Sequence, residues 1–469
     1  MYIFFLYIME HFRKLGIKDS ILRSLKEENF EKPSEIQEKA IPLILEGKDV
    51  ISGSATGSGK TLIFGTDIIH NAERGKGIQA LILTPTRELT IQVEKALKKF
   101  SKYNSLNIIS VYGGVSINPQ IDSLRYADVV VGTPGRILDH IRRRTIDFRK
   151  IKILVLDEAD VMLDMGFIYD VESIIKECPS DRQTLLFSAT ITPDVNRLSK
   201  KYMKNPVNVY AESYVDSSKL RQVYYDVDDK MKFSLLVHLL KHEKAGLVMV
   251  FCNTKRNTDF VAINLNAQGI HALAIHGGYT QEKRSRTMKE FSSKETSVLI
   301  CTDVAARGLD IPGITHIYNY DSPKDSKEYI HRVGRTARAG KEGKVINVIS
   351  SRDYENFENV ISHSEMNITR EETPEFRIVY VRKTEYKNNR GQSGGRRDNS
   401  GRAGGWKSRG EGGRDNGRDS GGQGRSRFGR SESRRQESSN REGGRSRFGN
   451  NNRNRDNNSG NNRNRKRRY

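Results

Sequence analysis

A chain of 469 residues with 35% hydrophobic residues and a net charge of +22 is long enough for two domains and a tail. The charge points to a polyanionic partner, most simply nucleic acid. The three cysteines, Cys178, Cys252 and Cys301, are odd in number and spaced for no metal site. That excludes a disulfide framework and implies reduced, packed thiols in a cytoplasmic protein.

The chain opens on nine apolar or aromatic residues, Met1 to Met9. They are too few to span a bilayer and lack the basic start and cleavage site of a signal peptide. Met9 is therefore the expected start, and no membrane partner is expected. Val/Ile/Leu-rich runs then recur at Asp49–Ser52, Ala80–Leu83, Asp128–Val131, Ile151–Leu156 and Thr184–Phe187. A second set follows at Gly246–Phe251, Ala272–Ile275, Ser297–Cys301, His316–Tyr320 and Lys344–Ile349. Helical periodicity separates most of them. Apolar strands alternating with helices predict parallel sheets covered on both faces, hence two tandem α/β domains. The expected boundaries are residues 12–210 and 220–366, after an N-terminal extension 1–11. Residues 211–219 form a linker, 367–389 an extension and 390–469 a tail.

The tail Arg390–Tyr469 carries 23 Lys/Arg against 8 Asp/Glu, so roughly +15 of the +22 lies there. It is rich in Gly, Arg, Asn and Ser and repeats Gly-Arg-Ser-Arg-Phe-Gly at Gly424–Gly429 and Gly444–Gly449. Such a composition cannot bury enough apolar surface to order itself, so the tail is expected to be disordered. Arginines interleaved with Trp406, Phe428, Phe448 and Tyr469 suit RNA, through phosphate contacts and base stacking.

Two segments carry the chemistry. Ser54-Ala55-Thr56-Gly57-Ser58-Gly59-Lys60-Thr61 follows a strand and opens a helix, as a phosphate-binding loop must. Its glycines let backbone amides approach phosphate oxygens, Lys60 adds a point charge, and the Thr61 hydroxyl can ligate magnesium. Asp157-Glu158-Ala159-Asp160 closes the run Ile151–Leu156. Asp157 there suits a magnesium contact, and Glu158 can orient and deprotonate an attacking water. Together they describe a nucleoside triphosphatase.

With these and ten or so further motifs in order, the chain resembles the DEAD-box RNA helicases of the two-domain, RecA-like superfamily, over Phe12 to about Ser351. Asn29-Phe30-Glu31-Lys32-Pro33-Ser34-Glu35-Ile36-Gln37 is similar to the family's Q motif. The resemblance implies that Gln37 hydrogen-bonds adenine and Phe12 stacks on it, so ATP with Mg2+ is the expected ligand. Within the phosphate loop, Thr56, Gly57, Ser58, Gly59, Lys60 and Thr61 would hold the nucleotide. It implies that Ser188-Ala189-Thr190 couples Asp160 to closure, with His331 on the second domain. Thr86, Arg87, Gly114, Thr133, Gly135 and Arg136 are the implied RNA contacts of the first domain. Gln281, Arg284 and Thr302 are those of the second. Gly308 and Asp310 would face the nucleotide, and Arg335 and Arg338 would act as arginine fingers.

The implied cycle has ATP and single-stranded RNA closing the domains, a bent strand incompatible with a duplex, and reopening after hydrolysis. An ATP-gated clamp with little unwinding is the alternative. The sequence departs from the family at Asn29, Thr90 and Ala337, and also at Ser54 and Gly278. Ala337 stands where glycine is common, which matters if its φ is positive.

Overall fold

The computed structural model describes residues 9–53, 58–210, 219–309, 311–337, 341–362 and 367–382. Contacts divide the chain into residues 1–390 and 391–469. The tail and most of the linker lie outside the described residues. So do Thr56, Gly57, Asp310 and Arg338.

Residues 1–390 contain two seven-stranded, all-parallel sheets. The first comprises β1 (Val50–Gly53), β2 (Ala80–Leu83), β3 (Ile108–Val111), β4 (Val129–Gly132), β5 (Ile153–Leu156), β6 (Gln183–Ser188) and β7 (Val207–Tyr210). Its order is β3-β4-β2-β5-β6-β1-β7. The second comprises β8 (Leu220–Asp226), β9 (Leu247–Phe251), β10 (Ala272–Ile275), β11 (Val298–Cys301), β12 (Ile314–Asn319), β13 (Gly343–Ile349) and β14 (Thr369–Arg370). Its order is β10-β11-β9-β12-β13-β8-β14.

Burial on both faces explains the unbroken apolar runs. Along β5, Ile153 and Val155 enter the core on one side of the sheet, and Leu154 and Leu156 enter the core on the other. Along β9, Val248 and Val250 point one way, while Leu247, Met249 and Phe251 point the other. All three cysteines are buried and free. Among the described residues, no helix is long and apolar enough to cross a membrane.

The strand order brings the chemistry to one edge. β5, β6 and β1 are neighbours, with Gly53 opposite Ser188 and Leu156 opposite Leu186. Their carboxyl ends therefore deliver the phosphate loop, Asp157–Asp160 and Ser188–Thr190 to one crevice, where open α/β sheets bind ligands.

The second sheet extends past Met366, beyond the expected boundary. β14 pairs with β8, and Phe376 and Val379 pack on the core. The Val379 N–H donates to Ser234 Oγ at 3.1 Å and the Arg382 N–H to Asn264 Oδ1 at 2.7 Å. Residues 367–382 are thus a strap across this domain. Beyond Arg370 its described residues form no strand, so no periodic pattern marks it in the sequence.

Asp67 is fully buried in the helix Lys60–Asn71; its Oδ1 accepts from Asn71 Nδ2 at 2.8 Å, and its Oδ2 has no hydrogen-bond partner among the described residues. Burial pushes its carboxyl up to about 7. A raised acid favours the fold while protonated. The stability is full below about pH 4, the unfolded value, and is lost as pH rises through about 7. Asp67→Asn should therefore stabilise the protein by about 1–3 kcal/mol near pH 8 and far less near pH 5, read as melting temperature against pH.

Candidate ATP and RNA site

The phosphate loop is held from below by the Q-motif segment. The Gln37 Oε1 accepts the Ser34 N–H at 2.9 Å, and its Nε2 donates to Gly59 O at 3.1 Å. The Ser34 hydroxyl donates to Ser58 O at 3.0 Å. Gly59 has φ +83°, and a Cβ there would lie 2.2 Å from Gln37 Nε2. Only glycine meets both demands. Lys60 begins the helix Lys60–Asn71 and is buried, and Thr61 follows it half-buried.

Phe12 is fully buried, its ring edge-on to that of Phe30 at 6.4 Å, in a core cluster that also holds Ile17 and Ile21.

Asp157, Glu158 and Asp160 are 3%, 4% and 1% exposed. Asp157 Oδ1 and both Glu158 carboxylate oxygens are buried without a hydrogen-bond partner among the described residues. Burial pushes the Asp157 carboxyl up to about 6, against the pull of Lys60. Buried carboxylates without partners are costly. Glu158 also adopts φ +50°, in the left-handed region that is uncommon for a non-glycine residue.

Asp160 plays a different part. Its Oδ2 accepts the Thr190 N–H at 2.9 Å and the Thr190 hydroxyl at 2.8 Å. The Ser188 hydroxyl accepts the Asp160 N–H at 3.3 Å and donates to Thr190 O at 2.7 Å, so it meets the backbone and not the carboxylate. His331 Nε2 from the second domain stands 3.6 Å from Asp160 Oδ2. Burial would raise this carboxyl, but His331, Thr190 and Lys60 hold it well below the usual range.

Arg335 is 5% exposed, with Nη1 donating to Leu309 O at 2.8 Å and Nε to His331 O at 3.2 Å. Ala337 has φ +51°, the left-handed conformation that its alanine makes costly by about 1 kcal/mol. Asn29 also lies there, at φ +58°, where asparagine is the best substitute for glycine. Gly308 has φ +71°, and a Cβ on it would lie 2.5 Å from Thr86 Oγ1 and 2.8 Å from Leu89 Cβ. It therefore abuts the first domain's Thr86–Leu89 turn.

The expected RNA residues are joined across the domains. Arg87 Nη1 donates to Gln281 Oε1 at 3.4 Å, Gln281 Nε2 donates to Glu88 Oε1 at 3.3 Å, and Arg284 Nη2 lies 2.9 Å from the same oxygen. Thr86 caps its helix by accepting the Leu89 N–H, and its hydroxyl reaches Arg307 O at 3.5 Å. Gly114 lies under Arg87, where a Cβ would be 1.9 Å from Nη1. Arg136 donates to Val115 O at 2.9 Å, Gly135 is exposed, and Thr133 and Thr302 precede short helices.

Sequence reasoning missed Arg332. It is 1% exposed, and every nitrogen of its guanidinium is bonded. Nε and Nη2 grip Asp303 at 2.6 and 2.7 Å, Nη1 reaches Asp321 O and Asn319 Oδ1, and Nη2 also reaches Asn253 Oδ1. Its partners come from the carboxyl ends of β9, β11 and β12, so only the topology could have shown it. Lys327 was also missed. Its Nζ lies 2.6 Å from Asp164 Oδ2 of the first domain.

The first domain matches the DEAD/DEAH box helicase model over residues 34–198, and the second matches the helicase conserved C-terminal domain over residues 231–340. The chain is 46% identical to the ATP-dependent RNA helicase CshA of Limosilactobacillus reuteri over 347 residues, 73% of this chain and 70% of that protein. The chain belongs to the DEAD-box ATP-dependent RNA helicase family. The CshA of Geobacillus kaustophilus is 42% identical over 74% of both chains. The two domains of this helicase are RecA-like. They match Dbp5 of S. cerevisiae bound to RNA and ADP BeF3 with a TM-score of 0.71 at 33% identity, covering 77% of this chain and 95% of that one. A structure of Mss116p bound to ssRNA and AMP-PNP matches at 0.68 with 27% identity, over 78% and 79%.

Proposed function

We propose that this helicase uses RNA-stimulated ATP hydrolysis to separate short RNA duplexes locally or to remodel RNA–protein complexes. The observation that carries this is the half-site on each domain. Lys60, Asp157 and Glu158 stand on the first, while His331 and Arg335 arrive from the second, with His331 3.6 Å from Asp160. The proposed steps follow from that division. Gln37 and the Ser58–Thr61 turn bind the nucleotide, with Thr56 and Gly57 completing the loop. Glu158 takes a proton from the attacking water, and Arg335 and Arg338 stabilise charge on the γ-phosphate.

The donor set fits magnesium. Among the described residues, no group of three His, Cys, Asp or Glu side chains could cage a metal ion. Mg2+ is usually held by one or two carboxylates, phosphates and water. Asp157 and the Thr61 hydroxyl would hold it, and the ion would neutralise phosphate charge.

RNA would lie on Thr86, Arg87, Gly114, Thr133, Gly135 and Arg136 of the first domain and on Gln281, Arg284 and Thr302 of the second. Such contacts are to the backbone and independent of sequence. Asp310 would sit near the ribose. The linked binding steps must be reciprocal, RNA tightening ATP and ATP tightening RNA. Strand displacement of a short RNA duplex, with ATP and with a non-hydrolysable analogue, tests the output. ATP-dependent displacement is expected; ATP-dependent binding with no displacement would make the protein a clamp.

Arg390–Tyr469 would tether RNA with an affinity that falls steeply with salt. Deleting it should weaken RNA binding at least about tenfold at low salt and leave basal hydrolysis intact, measured by titration and ATPase assay. The cytoplasm is the compartment this reading implies.

A further inference from the structure

The loop that presents Gln281 and Arg284 is held by a polar cluster to which the proposed cycle gives no role. Residues 276–280 run from β10 to the helix Gln281–Ser292. His276 is buried; its Nε2–H donates to Asp259 Oδ1 at 2.9 Å, and its Nδ1 accepts the Gly278 N–H at 3.0 Å. These two partners assign the proton of the neutral ring to Nε2. The Tyr279 hydroxyl donates to the same Asp259 oxygen at 2.7 Å. Its ring centroid lies 4.0 Å from that of His276 and 3.3 Å from Lys283 Nζ. A Cβ at Gly278 would lie 3.0 Å from the imidazole, so the loop closes tightly over it.

Asp259 belongs to the neighbouring helix Lys255–Ala267. One carboxylate oxygen thus ties two loop side chains to a second element. The loop ends at Thr280, whose hydroxyl caps the next helix by accepting the Lys283 N–H at 3.3 Å. Gln281 and Arg284 stand in that helix's first turn and meet Glu88 across the domain boundary. The position of both depends on how firmly the loop is held.

We propose that Asp259, His276 and Tyr279 are positioning residues that preset Gln281 and Arg284 for RNA. The inference rests on the RNA-dependent reading above. Preset groups bind without first being ordered, so loosening the cluster costs RNA affinity and leaves the hydrolytic step alone.

The test compares Tyr279→Phe, Asp259→Ala and Asp259→Asn in the full chain, with single-stranded RNA titrated into an ATPase assay and melting temperatures recorded. Tyr279→Phe keeps the ring and removes one hydrogen bond, and Asp259→Asn keeps the accepting oxygen. The KM for RNA should rise about five- to tenfold in Tyr279→Phe and Asp259→Ala. The kcat at saturating RNA and the basal rate should stay within about twofold, and Asp259→Asn should track the wild type. An unchanged KM in Tyr279→Phe and Asp259→Ala, with the wild type stimulated by RNA, would overturn this inference alone. So would a joint fall of kcat, basal rate and melting temperature in Tyr279→Phe, since the cluster would then be packing only. If Asp259→Ala fails to fold, the KM of Tyr279→Phe decides by itself. A wild type that RNA does not stimulate would overturn both this inference and the functional reading.

Discussion

Glu158→Gln is expected to lower RNA-stimulated kcat by about 10²–10⁴ while ATP still binds. Glutamine preserves the shape of the side chain and removes its basicity. The two oxygens of Glu158 are buried and have no hydrogen-bond partner among the described residues. Glu158 lies two residues past the end of β5, at φ +50°. Nucleotide binding, followed with a fluorescent ATP analogue, should change by less than about threefold, because Gln37, Ser58–Thr61 and Asp157 are untouched. A loss of binding equal to the loss of rate would give Glu158 a ground-state role instead.

Arg332→Met should destabilise the second domain by about 3–5 kcal/mol. The cost comes from what remains behind. Asp303 and Asn253 would lose their guanidinium partner, and the buried Asn319 and Asp321 carbonyl would lose their donor where little water can replace it. Arg332 also anchors the helix Ser326–Val333, which carries His331 and leads to Arg335. Its loss should therefore cut RNA-stimulated hydrolysis even in molecules that stay folded. Calorimetric melting reads the first effect and ATPase assay at low temperature the second. A variant that melts with the wild type would show that this buried network is dispensable.

The legible part of this molecule was the part written in short-range signals. The run Ala80–Leu83 is a strand to the residue, because a central parallel strand is apolar on both faces, and Ala272–Ile275 is matched to the residue as well although it lies at its sheet's edge. The strands β3, β7, β8 and β14 carried no such signal. They lie toward the sheet edges or mix polar with apolar residues, as Arg221, Gln222 and Asp226 do in β8. The phosphate loop and Asp157–Asp160 were legible because their chemistry is local in sequence. Arg332 was not, since its partners come from three separate strand ends.

ATP hydrolysis with and without single-stranded RNA, beside single-stranded DNA and the Glu158→Gln variant, tests the central claim most directly. The half-site on each domain predicts strong stimulation by RNA alone and its loss in the variant. Equal stimulation by DNA, or none by either polymer, would contradict it.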